Sequence, residues 1–171
     1  MILEQYKPSE RDAWNWRVAN LTDLDEIVTL AQTQFEREID QFVTPDPTVY
    51  ARNLSIGIVN QKFNPAAEQI LVARMDSALI AYAWIQRNVY MPYSTDEMAE
   101  ARFVHINQRL STRNRITILA QILQHWDTWA SVCGIKCLCS STIRSEQDVF
   151  LRLHTQAGYT VRGSIAFKRL V

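Results

Sequence analysis

Residues 111–126 read STRNRITILAQILQHW: two arginines and an asparagine stand directly ahead of a regular apolar pattern. Ile118, Leu119, Ile122, Leu123 and Trp126, continued by Trp129 and Ala130, recur at three- and four-residue steps and so line one face of a helix over 114–133. Gln121, Gln124, Asp127, Thr128 and Ser131 take the opposite face, and Gly134 is placed to cap its end. A basic helix start is where an anion is held against backbone N–H groups. Glycine usually lets the ligand approach such a backbone closely, and this stretch has none.

The flanks of that helix settle the fold class. ARFVHINQRL before it and IKCLCSSTI after it read as strands, which a right-handed crossover would make parallel neighbours. Upstream, QILVARMDSALIAYAWIQR divides at MDS into two runs rich in Ile, Leu, Val, Tyr and Trp, a hairpin. NVYMPYSTDEMAE between hairpin and strand reads as a polar and aromatic loop. WNWRVAN alternates as a short strand and leads into TDLDEIVTLAQTQF, a helix with Thr22 or Asp23 as N-cap and Leu24, Ile27, Val28, Ala31 and Phe35 on its apolar face. A second helix begins near Thr48, after Pro45 and Pro47, and finishes before Pro65. EQDVFLRLHTQA is a helix ended by Gly158, and YTVRG and SIAFKRL form a last strand pair. The prediction is an α/β protein: one mixed sheet of about seven strands flanked by about four helices, in a single domain over 13–171 behind an arm at 1–12.

At 171 residues the chain can bury roughly two thirds of its unfolded surface. Lysine plus arginine (18) balance aspartate plus glutamate (18), so no nucleic acid and no anionic membrane is called for, and any anion site must be local. No window reaches the length of a membrane span or a signal-peptide core. A cytoplasmic location is expected, with incorporation into a larger particle compatible. Cys133, Cys137 and Cys139, an odd set within seven positions, read as reduced thiols. A zinc site would need two more ligands, and His125 and His154 lie at unhelpful spacings, so no metal is expected.

This order of elements resembles the GCN5-related N-acetyltransferase (GNAT) superfamily from about Trp16 to Leu170. WRVANLTDLDEIVTLAQ is similar to its opening strand and helix. ILVARMDSALIAYAWI is similar to its hairpin, with Ala81 where glycine is frequent. WASVCGIKCLCSSTI and FLRLHTQAGYTVRG are similar to its later strand, helix and Gly-Phe ending, here Gly158 and Tyr159. The family's cofactor loop, Arg/Gln-x-x-Gly-x-Gly/Ala, falls on Asn114, Thr117 and Leu119, and a one-residue slip would put Arg113 or Arg115 in the leading place.

The resemblance implies acetyl-CoA as donor and direct attack of an amine on the thioester. Its pyrophosphate would be held here by Arg109, Arg113 and Arg115 with Asn114 and Thr117, side chains replacing backbone donors. Gln147 stands where many members have an asparagine near the cofactor's arm. His154 occupies the position of the family's tyrosine acid and can donate a proton near neutral pH. Glu100 and His105, on the presumed fourth strand, are candidates for the base, with Asp96 and Glu97 on the loop before it. Each also has an ordinary role open to it, as a solvated charge or a packed strand residue. Trp14, Trp16, Tyr90, Met91 and Tyr93 would line an acceptor pocket or dock a protein partner or second copy through 1–16 and 88–98. Two functions stand: acyl transfer to an unidentified amine, or a catalytically inactive structural subunit of a larger assembly, as in a phage-encoded setting. A coenzyme A-binding regulator lies between them.

Overall fold

The structure, a computed structural model, describes residues 13–38, 43–90, 92–142 and 147–163. The arm at 1–12 and the last run, SIAFKRL, lie outside the described residues, and 159–163 carry no strand. The sheet among the described residues therefore has five strands where about seven were expected: β1 (Asn15–Val18), β2 (Glu68–Met75), β3 (Ala78–Tyr90), β4 (Glu97–Ile106) and β5 (Cys137–Cys139), in that spatial order. Pairing is antiparallel from β1 to β4, and β5 joins β4 in parallel. Four α-helices accompany them: α1 (Leu24–Glu38), α2 (Pro47–Phe63), α3 (Thr112–Val132) and α4 (Asp148–Gln156).

Helix starts follow local chemistry. The first is capped by Asn20, upstream of the expected Thr22 or Asp23: its side chain accepts from Thr22 N, and Asp23 reaches back to Asn20 N at 2.9 Å. This capping box opens a short 3₁₀ turn at Leu21–Asp23 that feeds α1. Asp46 caps α2 by accepting from Thr48 N and Val49 N, with Pro47 at the first helical position, where its missing N–H costs nothing. Asp76 at φ +54° and Ser77 make the two-residue turn of the β2–β3 hairpin. The expected loop after β3 is shorter than the sequence suggested. β3 runs to Tyr90 and β4 begins at Glu97, whose carboxylate pairs with Arg87 at 2.6 Å, so Glu97 is a strand residue.

Alternation along the strands sorts side chains onto two faces. Ala81, Ala83 and Ile85 meet Ile118, Ile122, Leu123, Trp126, Trp129 and Ala130 of α3, the predicted apolar face of that helix. Tyr82 and Trp84 meet Ile27, Ala31 and Phe35 of α1 and Tyr50, Leu54 and Ile58 of α2. Trp14 and Trp16 are used within the chain: both indole N–H groups donate to Gln121 Oε1 at 2.8 Å, and Trp16 packs edge-on against His125. Gln121, expected on the solvent face, thereby ties β1 to α3. Tyr90 and Tyr93 are exposed. No helix among the described residues is long and apolar enough to cross a membrane.

Candidate functional site

β4 and β5 pair at Met98 with Cys137, Ala99 with Leu138 and Glu100 with Cys139, and then part. Among the described residues, the last six positions of β4 have no strand on that side. The parting coincides with an irregularity on β4's other edge, where Ala101 faces Ile85, Phe103 faces Trp84, and Arg102 has no partner. A bulge of this kind bends a strand and re-aims its backbone groups. The fork opens toward Ile106, and the next helix, α3, starts from the loop at that end of the strand.

Local hydrogen bonds define the α3 N-terminus. Ser111 is the N-cap, its hydroxyl accepting from Asn114 N at 3.2 Å, and Arg115 N bonds to Ser111 O at 3.0 Å. The helix thus begins two residues before the expected 114. Thr117 and Leu119 lie inside it. Thr117 is buried, with its hydroxyl bonded to Arg113 O at 3.0 Å, and Leu119 packs on the core. Arg115 braces the loop through Gln108 Oε1 at 2.6 Å and Thr112 Oγ1 at 3.2 Å, while its Nε is buried without a hydrogen-bond partner. Arg109 and Arg113 are exposed. Three arginines thus surround the positive end of a 21-residue helix with no carboxylate in its first turn, an arrangement the helix dipole disfavours until an anion is added.

Glu100 sits at the crotch of the fork, half exposed, with Arg102 Nη1 at 3.8 Å. His154 of α4 approaches the same crotch from β5. Its Nε2 lies 3.0 Å from the hydroxyl of Ser140, the residue following the last β4–β5 pair. Its Nδ1 lies 2.8 Å from Phe150 O. A carbonyl only accepts, so Nδ1 carries the proton and Nε2 is an acceptor for Ser140. Burial pushes the imidazole below its ordinary pKa, against the opposing pull of the Phe150 carbonyl. Neutral in this tautomer, His154 is a base toward Ser140, whereas the family position had suggested an acid.

His105 is elsewhere. It is buried beneath α1, its ring stacked on Tyr82 and edge-on to Phe35. Gln34 donates through Nε2 to Ile106 O at 2.9 Å, so its Oε1 accepts from His105 Nδ1 at 2.8 Å. Gln147 occupies the N-cap position of α4 without a side-chain capping bond. The structure brings Glu100 and His154 to one fork and puts Arg109, Arg113, Asn114 and Arg115 at the following helix start, with His105 in the opposite core.

Two groups escaped the sequence reading. Ser140 is one of a Ser-Ser pair with no local pattern to distinguish it. Glu68, opening β2, is only 4% exposed and accepts from Trp84 Nε1 at 2.9 Å. It lines a cavity of about 300 Å³ under α2, with Tyr50, Asn53, Trp84, Arg102 and Phe103 among its walls. Gly57 leaves room there: a Cβ would lie 2.9 Å from both Glu68 Oε2 and Trp84 Cζ2.

No protein-family model and no curated protein matches this chain. Solved structures do. A ribosomal-protein-alanine N-acetyltransferase from Brucella melitensis biovar Abortus 2308 is similar at 15% identity and TM-score 0.63, covering 93% of this chain and 100% of that one. The aminoglycoside 6'-N-acetyltransferase AAC(6')-Ih of Acinetobacter baumannii is similar at 15% identity and TM-score 0.66, over 93% and 99%. AAC(6')-Iy, in complex with the bisubstrate analog CoA-S-monomethyl-acetylneamine, is similar at 13% identity and TM-score 0.66, over 93% and 99%. Likeness at this level of identity speaks to architecture: with β4 and β5 joined through α3, the chain has a GNAT-like fold shared with these acetyltransferases.

Proposed function

We infer that the protein transfers an acetyl group from acetyl-CoA to a small amine that also carries a cationic group. The observation that carries this reading is the end of β4–β5 pairing after Glu100, which among the described residues leaves the last six positions of β4 without a strand on that side, ahead of the arginine-flanked start of α3. Thr112 N and Arg113 N, with the guanidiniums of Arg109 and Arg113, would take the pyrophosphate, and the unpartnered Arg115 Nε fits an anion placed there. A structure similar to this chain is a complex with a coenzyme A bisubstrate analog, which supports the same donor here.

The acceptor side is argued from Glu68. A carboxylate buried to 4% exposure with an indole N–H as its hydrogen-bond partner is costly unless a cation joins it. Trp84, Tyr50 and Phe103 supply aromatic walls suited to a cationic head group. Arg102, itself cationic, stands on the cavity wall two residues beyond the last β4–β5 pair, so the cavity borders the fork, and a bound amine would sit on the Glu68 side of it.

Calorimetric titration with acetyl-CoA at low salt, followed by free-thiol release with small diamines, tests the reading. Saturable heat and diamine-dependent thiol release are expected. No heat at millimolar acetyl-CoA would sink it and leave the non-catalytic subunit.

A further inference from the structure

Ser140 and His154 are 14 residues apart and are held by different elements, Ser140 at the end of β5 and His154 on α4. Their arrangement has three members, each with a defined role. The Ser140 hydroxyl donates to His154 Nε2 at 3.0 Å, and His154 Nδ1–H donates to Phe150 O at 2.8 Å. A hydroxyl, a neutral imidazole and an orienting acceptor form the arrangement by which proteins make a hydroxyl able to accept a proton. His154 is 3% exposed, ringed by Phe150 at 3.8 Å between centroids and Tyr159 at 4.9 Å, so it reaches no ligand itself. Ser140 is only partly buried and stands one residue beyond the Glu100–Cys139 pair, where the fork opens.

We propose that Ser140 and His154 form a two-way proton relay at the fork, with Ser140 as the catalytic residue and His154 as the proton store behind it. The proposal rests on the acyl-transfer reading above. The neutral acceptor amine attacks the thioester carbonyl carbon and forms the new C–N bond. Its proton passes to Ser140 Oγ as the Ser140 proton passes to His154 Nε2. The C–S bond then breaks, and the thiolate takes a proton from Ser140 as His154 returns its own, so amide and thiol leave and the dyad regains its starting state. One relay supplies both the base and the acid, without a separate tyrosine.

Among the described residues, the groups that bear on His154 lie on α3, β5 and the turn after α4. Tyr159 packs on its ring, and Asp127 of α3 with Cys137 and Cys139 of β5 act on Tyr159. Both ring nitrogens are already engaged, so a pH limb from His154 is read through Ser140.

The test uses the full chain, with acetyl-CoA and a diamine, and follows kcat against pH for native protein, Ser140→Ala and His154→Asn, with acetyl-CoA affinity measured on each. Native kcat should rise with pH along a limb lying below the ordinary histidine value of about 6.5. Ser140→Ala should bind acetyl-CoA unchanged, lose about 10²-fold in kcat and lose the limb, as expected for a positioned proton-transfer group. His154→Asn should show the same loss, and Ser140→Ala guards against a variant of the buried histidine that fails to fold. Transfer by Ser140→Ala at the native rate with the native limb overturns the relay and leaves acyl transfer standing. Absence of acetyl-CoA binding by the native chain overturns both.

Discussion

The two faces of the sheet bury different chemistry. Against α3 the core is aliphatic and indole: Ile118, Ile122, Leu123 and Trp126 over Ala81, Ala83 and Ile85. Trp126 Nε1 is buried there without a hydrogen-bond partner. Against α1 and α2 the core is aromatic and hydrogen-bonded. Tyr50 and Tyr82 share a buried hydroxyl contact, Gln34 bridges Ile106 O and His105, and Gln61 donates to Ala19 O at 2.9 Å and accepts from Ile70 N at 2.7 Å. Glu68 lies on this side too. Apolar packing is tolerant of exchange, whereas a buried polar network must be satisfied member by member. The polar face therefore supplies, at Glu68, a position at which a polar ligand can be read.

That contrast can be broken in graded ways. Trp126→Ala, at 1% exposure, removes the most buried tryptophan of the apolar face and should cost about 3–5 kcal/mol in denaturant unfolding; a loss below about 1 kcal/mol would mean that face is not the main support. Asp23, on the α1 side, tests the polar face. Burial alone would raise its carboxyl, but Arg17, Asn20 N and Arg74 hold it at about 2. Its folded pKa is below the unfolded value, so its contribution is full above about pH 4 and is lost as pH falls through 2. Titration of unfolding free energy should show about 2 kcal/mol lost across that window, and Asp23→Asn should abolish this acid limb.

Glu68→Gln separates binding from stability at one residue. It should raise the diamine KM about tenfold, as loss of a charged hydrogen bond implies, while unfolding changes by under about 1 kcal/mol because the amide oxygen of glutamine can still accept from Trp84 Nε1. A large stability loss with an unaltered KM would make Glu68 a structural group. The smallest effect is expected at Arg113, which is exposed and screened. Arg113→Ala should weaken acetyl-CoA about fivefold at low salt, an effect that fades by 1 M salt, with unfolding unchanged.

Local rules made much of this fold legible. The apolar face of α3, the proline-marked start of α2, the MDS hairpin and the glycine after α4 all rest on patterns that need no distant partner. The misses share a cause. The start of α3 lies two residues before the expected 114, because the capping Ser111, which accepts from Asn114 N, stands outside the apolar repeat that marks the helix. Trp14 and Trp16 looked free to dock elsewhere because Gln121, which receives both, lies over 100 residues away.

The sequence by itself determined the order of elements from β1 through α4 and the apolar faces of α1 and α3, because periodicity and capping act within a few residues. The tertiary structure alone decided which polar groups share a site. The fork after Glu100, the Ser140–His154 contact and the Glu68 cavity each join segments 14 or more residues apart, and only packing brings them within hydrogen-bonding distance.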